Sequence, residues 1–515
     1  MQKRSLTPDE VGTLILLAAI LFGGWFRFMP AWLAGFPIND GGLFYTMMND
    51  LQASRFVPPL YTSYNNLNIP LVYPPLAFYI GGFIGSVFNA PAIEIIRWLP
   101  ALFNTLTIPV FFLLAREITE DKFQSSVAAL VFAFIPRMST WLSAGGGLTR
   151  SLGLFFLILT LYFSWKFFVK NETKSIAGII LAGSLTLLSH TEASVYAFSL
   201  PILIWLVKSR SLKQALQAGW IVAGVILLAG PWYGWAIHRH GIEPLLSALK
   251  TGSQSFGSVL RLVNFDVLTE EPYLDLLGVL GFLGILFLLA RRDYFIPLLL
   301  AAIHLVQPRS SHTTGNIPLA LAAGFFITSE LLPLAGRFRH GKQILLSFLV
   351  FFVFINFTYL DILLAERHVS PDEQASMKWV RENTPKDASF LVLTGETDPM
   401  CASTEEWFPA LTERTSILTL QGREWLPADG FFQNFVPRAN AQACINAGAD
   451  CLDEALASSG KDFDYIYISI KPGANPCGTK NAPTSLLYGL PAALRESDDY
   501  AISYETTNVV IFKKR

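Results

Sequence analysis

The sequence predicts a polytopic α-helical membrane protein with a carboxy-terminal extracytoplasmic α/β or α+β domain, and three observations predict it. Of 515 residues, 52% are hydrophobic and only 15% charged, against roughly 25% charged in ordinary globular chains. That average hides two compositions. Up to Asp361 the charges sit in short clusters between apolar stretches, whereas from Glu366 onward charge and proline are scattered. All four cysteines, Cys401, Cys444, Cys451 and Cys477, fall in the second part. The expected division is a multi-spanning region 1–363 and a water-facing domain 364–515. A net charge of -1 and the absence of a basic tract exclude steering toward nucleic acid.

A hydrocarbon core of about 30 Å needs about 20 apolar residues in helix, because lipid offers no partner for a bare backbone N–H or C=O. Candidate spans are 11–29, 98–115, 125–141, 152–168, 176–190, 192–207, 215–236, 273–290, 294–306, 316–334 and 343–363. The first follows Lys3 and Arg4 as a secretory signal would. It is nearly a full span with no small-residue cleavage site after it, so it is expected to be a retained helix. Lys and Arg favour the cytoplasmic side of short loops. This places Lys3 and Arg4, Lys166, Lys170 and Lys174, Lys208, Arg210 and Lys213, Arg291 and Arg292, and Arg337, Arg339 and Lys342 inside.

The apolar run 72–89 breaks the parity of that scheme. Counting it as a crossing would move the glycine loop at 145–150 inside, although Lys166 one helix later needs that loop outside. The run is therefore expected to dip into the outer leaflet without crossing, within a first outer loop of 30–97, the alternative being an ordinary span with another helix miscounted. An odd number of crossings from an amino terminus held in the cytoplasm by Lys3 and Arg4 then places 364–515 outside. Four cysteines confined to one exported domain predict two disulfides. Cys444 with Cys451 and Cys401 with Cys477 is the favoured choice among the three possible connectivities.

Charged and polar groups in the outer loops are the candidates for chemistry, because the membrane makes ionised groups expensive unless they face a cavity or interface. The first loop begins Phe36-Pro37-Ile38-Asn39-Asp40-Gly41-Gly42, which sets Asp40 among turn formers as either a functional acid or a turn aspartate. Tyr61, Tyr64 and Tyr73, with Asn65, Asn66 and Asn68, suit stacking on and hydrogen-bonding a sugar, or equally an interfacial aromatic belt. Glu94 and Arg97 either line a substrate cavity or simply pair with each other. Ala144-Gly145-Gly146-Gly147-Leu148-Thr149-Arg150 offers bare backbone and a cation, as an anion site would, or is a flexible tip. His190 and Glu192, in the turn between two spans, are expected to face a cavity. His238-Arg239-His240 and Gln307-Pro308-Arg309-Ser310-Ser311-His312 oppose the charge bias and so suggest a lipid phosphate, or ordinary headgroup contact. No Walker loop, CxxC pair, HExxH or Gly-x-Ser-x-Gly elbow is present.

These segments carry a resemblance: Asp40 within INDGG, the stretch YPPLAFYIGG, the helix EIIRWLPALFNTLTIPVFFLLARE and the segment AALVFAFIPRMSTWLSAGGGLTR. Together they resemble the GT-C membrane glycosyltransferases, the superfamily of protein O-mannosyltransferases, aminoarabinose transferases and oligosaccharyltransferase subunits. The resemblance implies a GT-C-like fold and an inverting hexosyl- or pentosyltransferase. Such an enzyme acts on a polyprenyl-phosphate sugar at the outer face of the cytoplasmic membrane, and its acceptor is a glycan, lipid or protein. It implies Asp40 as general base; the charge on the leaving phosphate needs cations, and by position Arg150, Arg309 and His312 are the candidates. Some members bind a divalent metal through acids of the second outer loop. Here that loop reads SAGGGLTRS, so no metal is expected unless Glu94 or Glu192 supplies the ligands. The competing expectations are a lipid or polysaccharide transporter and a non-catalytic sugar-binding relative.

In the outer domain, Ser389–Thr394, Tyr465–Ile470 and Asn508–Lys513 read as strands, and Asp372–Glu382 and Asp453–Ser458 as helices. The repeated Glu406-Trp407-Phe408-Pro409 and Glu424-Trp425-Leu426-Pro427 offer Trp faces, either to carbohydrate or to packing against the membrane half.

Overall fold

The computed structural model describes residues 6–138, 140–251, 275–426, 430–457, 460–470 and 485–515. Among them seven helices are long and apolar enough to cross a bilayer. They are Pro8–Ala34, Ala92–Thr119, Gly147–Phe168, Thr191–Ser209, Leu212–His240, Pro308–Ala335 and Gly341–Ala365. Five shorter apolar helices, Leu76–Phe88, Lys122–Phe134, Ser175–Ser189, Leu276–Ala290 and Phe295–Val306, complete the set. Each expected span meets one of these, so the polytopic helical fold class is correct.

The helix ends have local causes. Thr7 caps the first helix through the Glu10 N–H while the Glu10 carboxylate returns to the Thr7 N–H, and Pro8 occupies the first turn. This reciprocal box satisfies two otherwise orphaned donors. Inside the bundle, small residues bring backbones together. A Cβ at Gly284 would lie 2.1 Å from the Ala322 carbonyl oxygen, which ties Leu276–Ala290 to Pro308–Ala335. Close approach of this kind replaces the hydrophobic drive that lipid cannot supply.

The run 72–89 forms the 13-residue helix Leu76–Phe88, a rise of about 20 Å. It lies along Gly42–Ala53, with Gly81 against Met48 and Gly82 against Phe56 and Gln52.

Beyond Ala365 the chain forms a five-stranded mixed sheet in the order Thr415–Ser416, Ser389–Leu393, Tyr465–Ser469, Val509–Lys514, Tyr500–Glu505. The first three strands are parallel and the last two antiparallel. Strand periodicity divides the side chains between two cores. Leu391, Leu393, Ile466, Ile468, Val510 and Phe512 face a core with Ile445 and Leu452. Phe390, Val392, Tyr465, Tyr467, Val509 and Ile511 face the opposite way, into one continuous cluster with Trp407, Phe408, Leu43, Met47 and Ile96. The sheet domain thus shares its core with the first loop of the membrane half. Cys444 and Cys451 are disulfide-bonded, as expected, with Cα atoms 5.6 Å apart. Cys401 is also disulfide-bonded, while its expected partner Cys477 lies outside the described residues.

Candidate active site

The turn after the first helix is built to present Asp40. Asn39 takes φ 55° and Gly41 φ 136°, so the chain reverses on both sides of the acid, conformations that Asn and Gly adopt at least cost. The glycine loop closes against this turn. Gly145 donates its N–H to the Ile38 carbonyl at 2.8 Å, and Gly146 donates to Asp40 Oδ1, also at 2.8 Å. Arg150, one turn into the following helix, reaches Asp40 Oδ2 at 3.0 Å and stacks over Trp141. The glycines are there for proximity: a Cβ at Gly145 would sit 1.9 Å from the Asp40 carbonyl oxygen, and one at Gly146 2.1 Å from Oδ2. The anion held by this bare backbone is therefore the protein's own carboxylate.

The sheet domain forms the next wall. Its helix Ser403–Thr412 sets Glu406 Oε1 2.8 Å from the Gly41 N–H. Trp407 donates its indole N–H to the Asn39 carbonyl at 2.9 Å, and the Tyr64 hydroxyl donates to the Glu406 carbonyl at 2.7 Å. Burial, reinforced by Asp40, pushes the Glu406 carboxyl up to about 8. Burial likewise pushes Glu424, in the turn Arg423–Trp425, up to about 7. Tyr73 lies between the halves. Its hydroxyl is 3.3 Å from the Thr149 hydroxyl and its ring meets Phe44 and Trp425, and burial raises its phenol.

A second polar group lies alongside. Glu192 is paired with Arg309 at 3.2 Å, and both charges act on His190, whose imidazole burial pushes down to about 4. His190 Nδ1 accepts from the Ala193 N–H and so caps the next helix. Arg150 also acts on His190 and on Glu406, and Arg309 on Glu424, so the two groups share one electrostatic neighbourhood. His312 stands on the short helix Ser311–Thr314 that follows Arg309. Among the described residues no group of three His, Cys, Asp or Glu side chains is placed to hold a metal ion.

Other candidates have different places. Glu94 and Arg97 are paired at 3.4 Å, with Arg97 also donating to the Ala31 carbonyl and Trp98 to Glu94. They join the first two long helices. Tyr64 is 1% exposed and its hydroxyl anchors the sheet domain at the Glu406 carbonyl. Tyr61 is exposed and packs edge-on against His240. Trp407 and Trp425 are buried, so of their two readings packing is the observed one. Sequence reasoning missed the carboxylates beside those tryptophans. The signal was present, since an acid adjoining a buried Trp twice over must itself lie near the buried interface.

Similar backbones are known. ArnT from Cupriavidus metallidurans bound to undecaprenyl phosphate superposes with a TM-score of 0.51 at 13% identity, covering 97% of each chain. In the apo state the same protein gives 0.50 at 12% identity, covering 98% of each. The mycobacterial arabinofuranosyltransferase AftD gives 0.57 at 14% identity over 100% of this chain, which spans 42% of that larger one. The chain has the GT-C fold. A family model described as a 6-pyruvoyl-tetrahydropterin synthase related domain, membrane protein, matches residues 72–252. No curated protein matches in sequence. Within the GT-C frame, the Asp40 turn and the glycine loop meet where the membrane half joins the sheet domain.

Proposed function

We propose that this protein is an inverting membrane glycosyltransferase that moves a sugar from a polyprenyl-phosphate donor to an acceptor hydroxyl, with Asp40 as general base. The observation that carries this is the Asp40 carboxylate itself, held by a backbone N–H and by Arg150. Such a group is fixed in direction before any substrate arrives, which is the condition for efficient proton transfer. ArnT, in a structure bound to undecaprenyl phosphate, and the arabinofuranosyltransferase AftD share the fold and support the substrate class.

In the proposed step the acceptor oxygen attacks the anomeric carbon and gives its proton to Asp40. The anomeric carbon–oxygen bond breaks, and its electron pair leaves with the polyprenyl phosphate. The negative charge gathering on that phosphate needs cations. Arg150 and Arg309 present guanidinium groups suited to phosphate geometry, with His312 beside Arg309. Arg150 is then shared between the base and the leaving group, which aligns them. Tyr61, Tyr73, His190 and Glu192 border the substrate space. The domain limits at 363/364, the amino terminus in the cytoplasm and the sheet domain outside the cytoplasmic membrane belong to the same proposal.

Asp40→Asn keeps the side-chain shape and removes the base, so transfer from a polyprenyl-phosphate sugar should fall by about 10²–10⁴-fold while the protein accumulates normally. Wild-type transfer by that variant overturns the assignment. Movement of a labelled lipid across proteoliposomes without a new glycosidic bond would instead identify a transporter.

A further inference from the structure

Glu405 and Glu406 are adjacent in the helix Ser403–Thr412 but serve opposite sides. Glu405 accepts from Arg438 Nε and Nη2 at 2.9 and 2.8 Å and from Gln442 at 2.7 Å, and Arg438 also donates to the Thr397 and Glu396 carbonyls. That network is buried and bolts the helix to the sheet domain. Glu406 points the other way, to the residue after Asp40, with Trp407 reaching the residue before it. The fit leaves no slack: a Cβ on Gly42 would lie 2.4 Å from the Glu406 carbonyl oxygen, and one on Gly41 3.0 Å from the Trp407 ring. Asp40 is therefore gripped on one flank by the glycine loop and on the other by the sheet domain.

Accepting a proposed role for Asp40 as base, we propose that Glu406 is a positioning residue of the same site. As the neutral acid it receives the Gly41 N–H and seats the Asp40 turn without setting a second negative charge beside it. The surroundings favour that state. Glu406 is part-buried between its helix and the Asp40 turn, and Asp40 on the facing turn and Glu424 on the Arg423–Trp425 turn oppose its ionisation. Arg150 and the Gly41 N–H work in the other direction, and Glu405 on its own helix is engaged with Arg438. Burial dominates, placing the carboxyl at about 8. Above that pH the ionised group competes with Asp40 for Arg150 and draws water into the contact, so the turn loosens.

Two measurements on the full-length protein test this. In pH–rate profiles, each normalised to its own maximum, wild type should fall about ten-fold between pH 8 and pH 9.5, as expected for loss of one essential proton. Glu406→Gln, which stays neutral and keeps an oxygen toward Gly41, should lose that limb. A Glu406→Gln profile that falls in step with wild type overturns the proposal. Hydrogen exchange over residues 36–45 gives a readout independent of transfer. Glu406→Ala should lose at least ten-fold in protection there and Glu406→Gln should retain it; equal protection in wild type and Glu406→Ala overturns the positioning role. A wild-type protein without any transfer activity would instead count against the glycosyltransferase assignment, and the exchange experiment would still decide on Glu406.

Discussion

Gly146→Ala isolates the geometry of the proposed base, Asp40, from its chemistry. Gly146 has φ -68° and ψ -12°, a conformation alanine adopts freely, so the exchange brings no backbone strain and on its own tends to stabilise by about 0.4–1 kcal/mol. The entire penalty falls on Asp40. The new methyl would lie 2.1 Å from Oδ2, 2.6 Å from Cγ and 2.8 Å from Oδ1, where contacts under 3.0 Å essentially never occur. The carboxylate must therefore retreat by about 1 Å, a displacement that costs about 10²-fold in rate at an aligned site. Losing the hydrogen bond from Gly146 N–H to the carboxylate gives a consistent figure, about 1.5–3 kcal/mol for a charged acceptor. Single-turnover transfer from a labelled polyprenyl-phosphate sugar should slow by about 10²-fold in Gly146→Ala. Thermal unfolding should move little, and Gly219→Ala, whose Cβ meets nothing within 4 Å, serves as the control. A wild-type rate constant in Gly146→Ala would refute the claim that the glycine loop fixes Asp40 for catalysis.

Two further outcomes are expected. Arg309→Met removes one partner of a half-exposed ion pair with Glu192, so stability should change by less than about 1 kcal/mol. The KM for donor should rise by about ten-fold or more through the lost phosphate contact, and steady-state kinetics beside a melting curve separates the two effects. Cys444→Ser opens a bridge between residues seven apart, and the loop-closure estimate for so short a span is about 2–3 kcal/mol. Denaturant unfolding of the sheet domain should register that loss while donor KM stays unchanged.

The helical frame was legible because lipid forces apolar runs to become helices, and each expected span meets one. Ends were less so: the run expected at 98–115 is the helix Ala92–Thr119, whose charged first and last turns hydropathy alone does not claim. Asp40 and Arg150 could be singled out because their immediate neighbours constrain them, although their meeting could not be foreseen. Glu406 could not be placed, since its role depends on an approach to Gly41 across 365 residues that no local pattern encodes. The glycines of the 145–147 loop were noticed for their backbone, although their use is steric, to let Asp40 come near. Tyr64 could not be given its acceptor, since an aromatic residue suited to sugar and one suited to an interior anchor look alike in sequence. The strand Tyr500–Glu505 was missed, its register broken between Ile502 and Tyr504 and its side chains partly solvated.

The grip of the Ser403–Thr412 helix on the Asp40 turn also bears on when the protein can work during its own synthesis. The proposed base emerges from the ribosome early, and the helix that seats it only after some 365 further residues. A nascent or truncated chain that has threaded its helices into the bilayer still lacks half of the clamp. On the proposed function, activity is thus withheld until the sheet has folded. An incomplete copy would, on the proposed function, be silent in the membrane and leave lipid-linked sugar unspent.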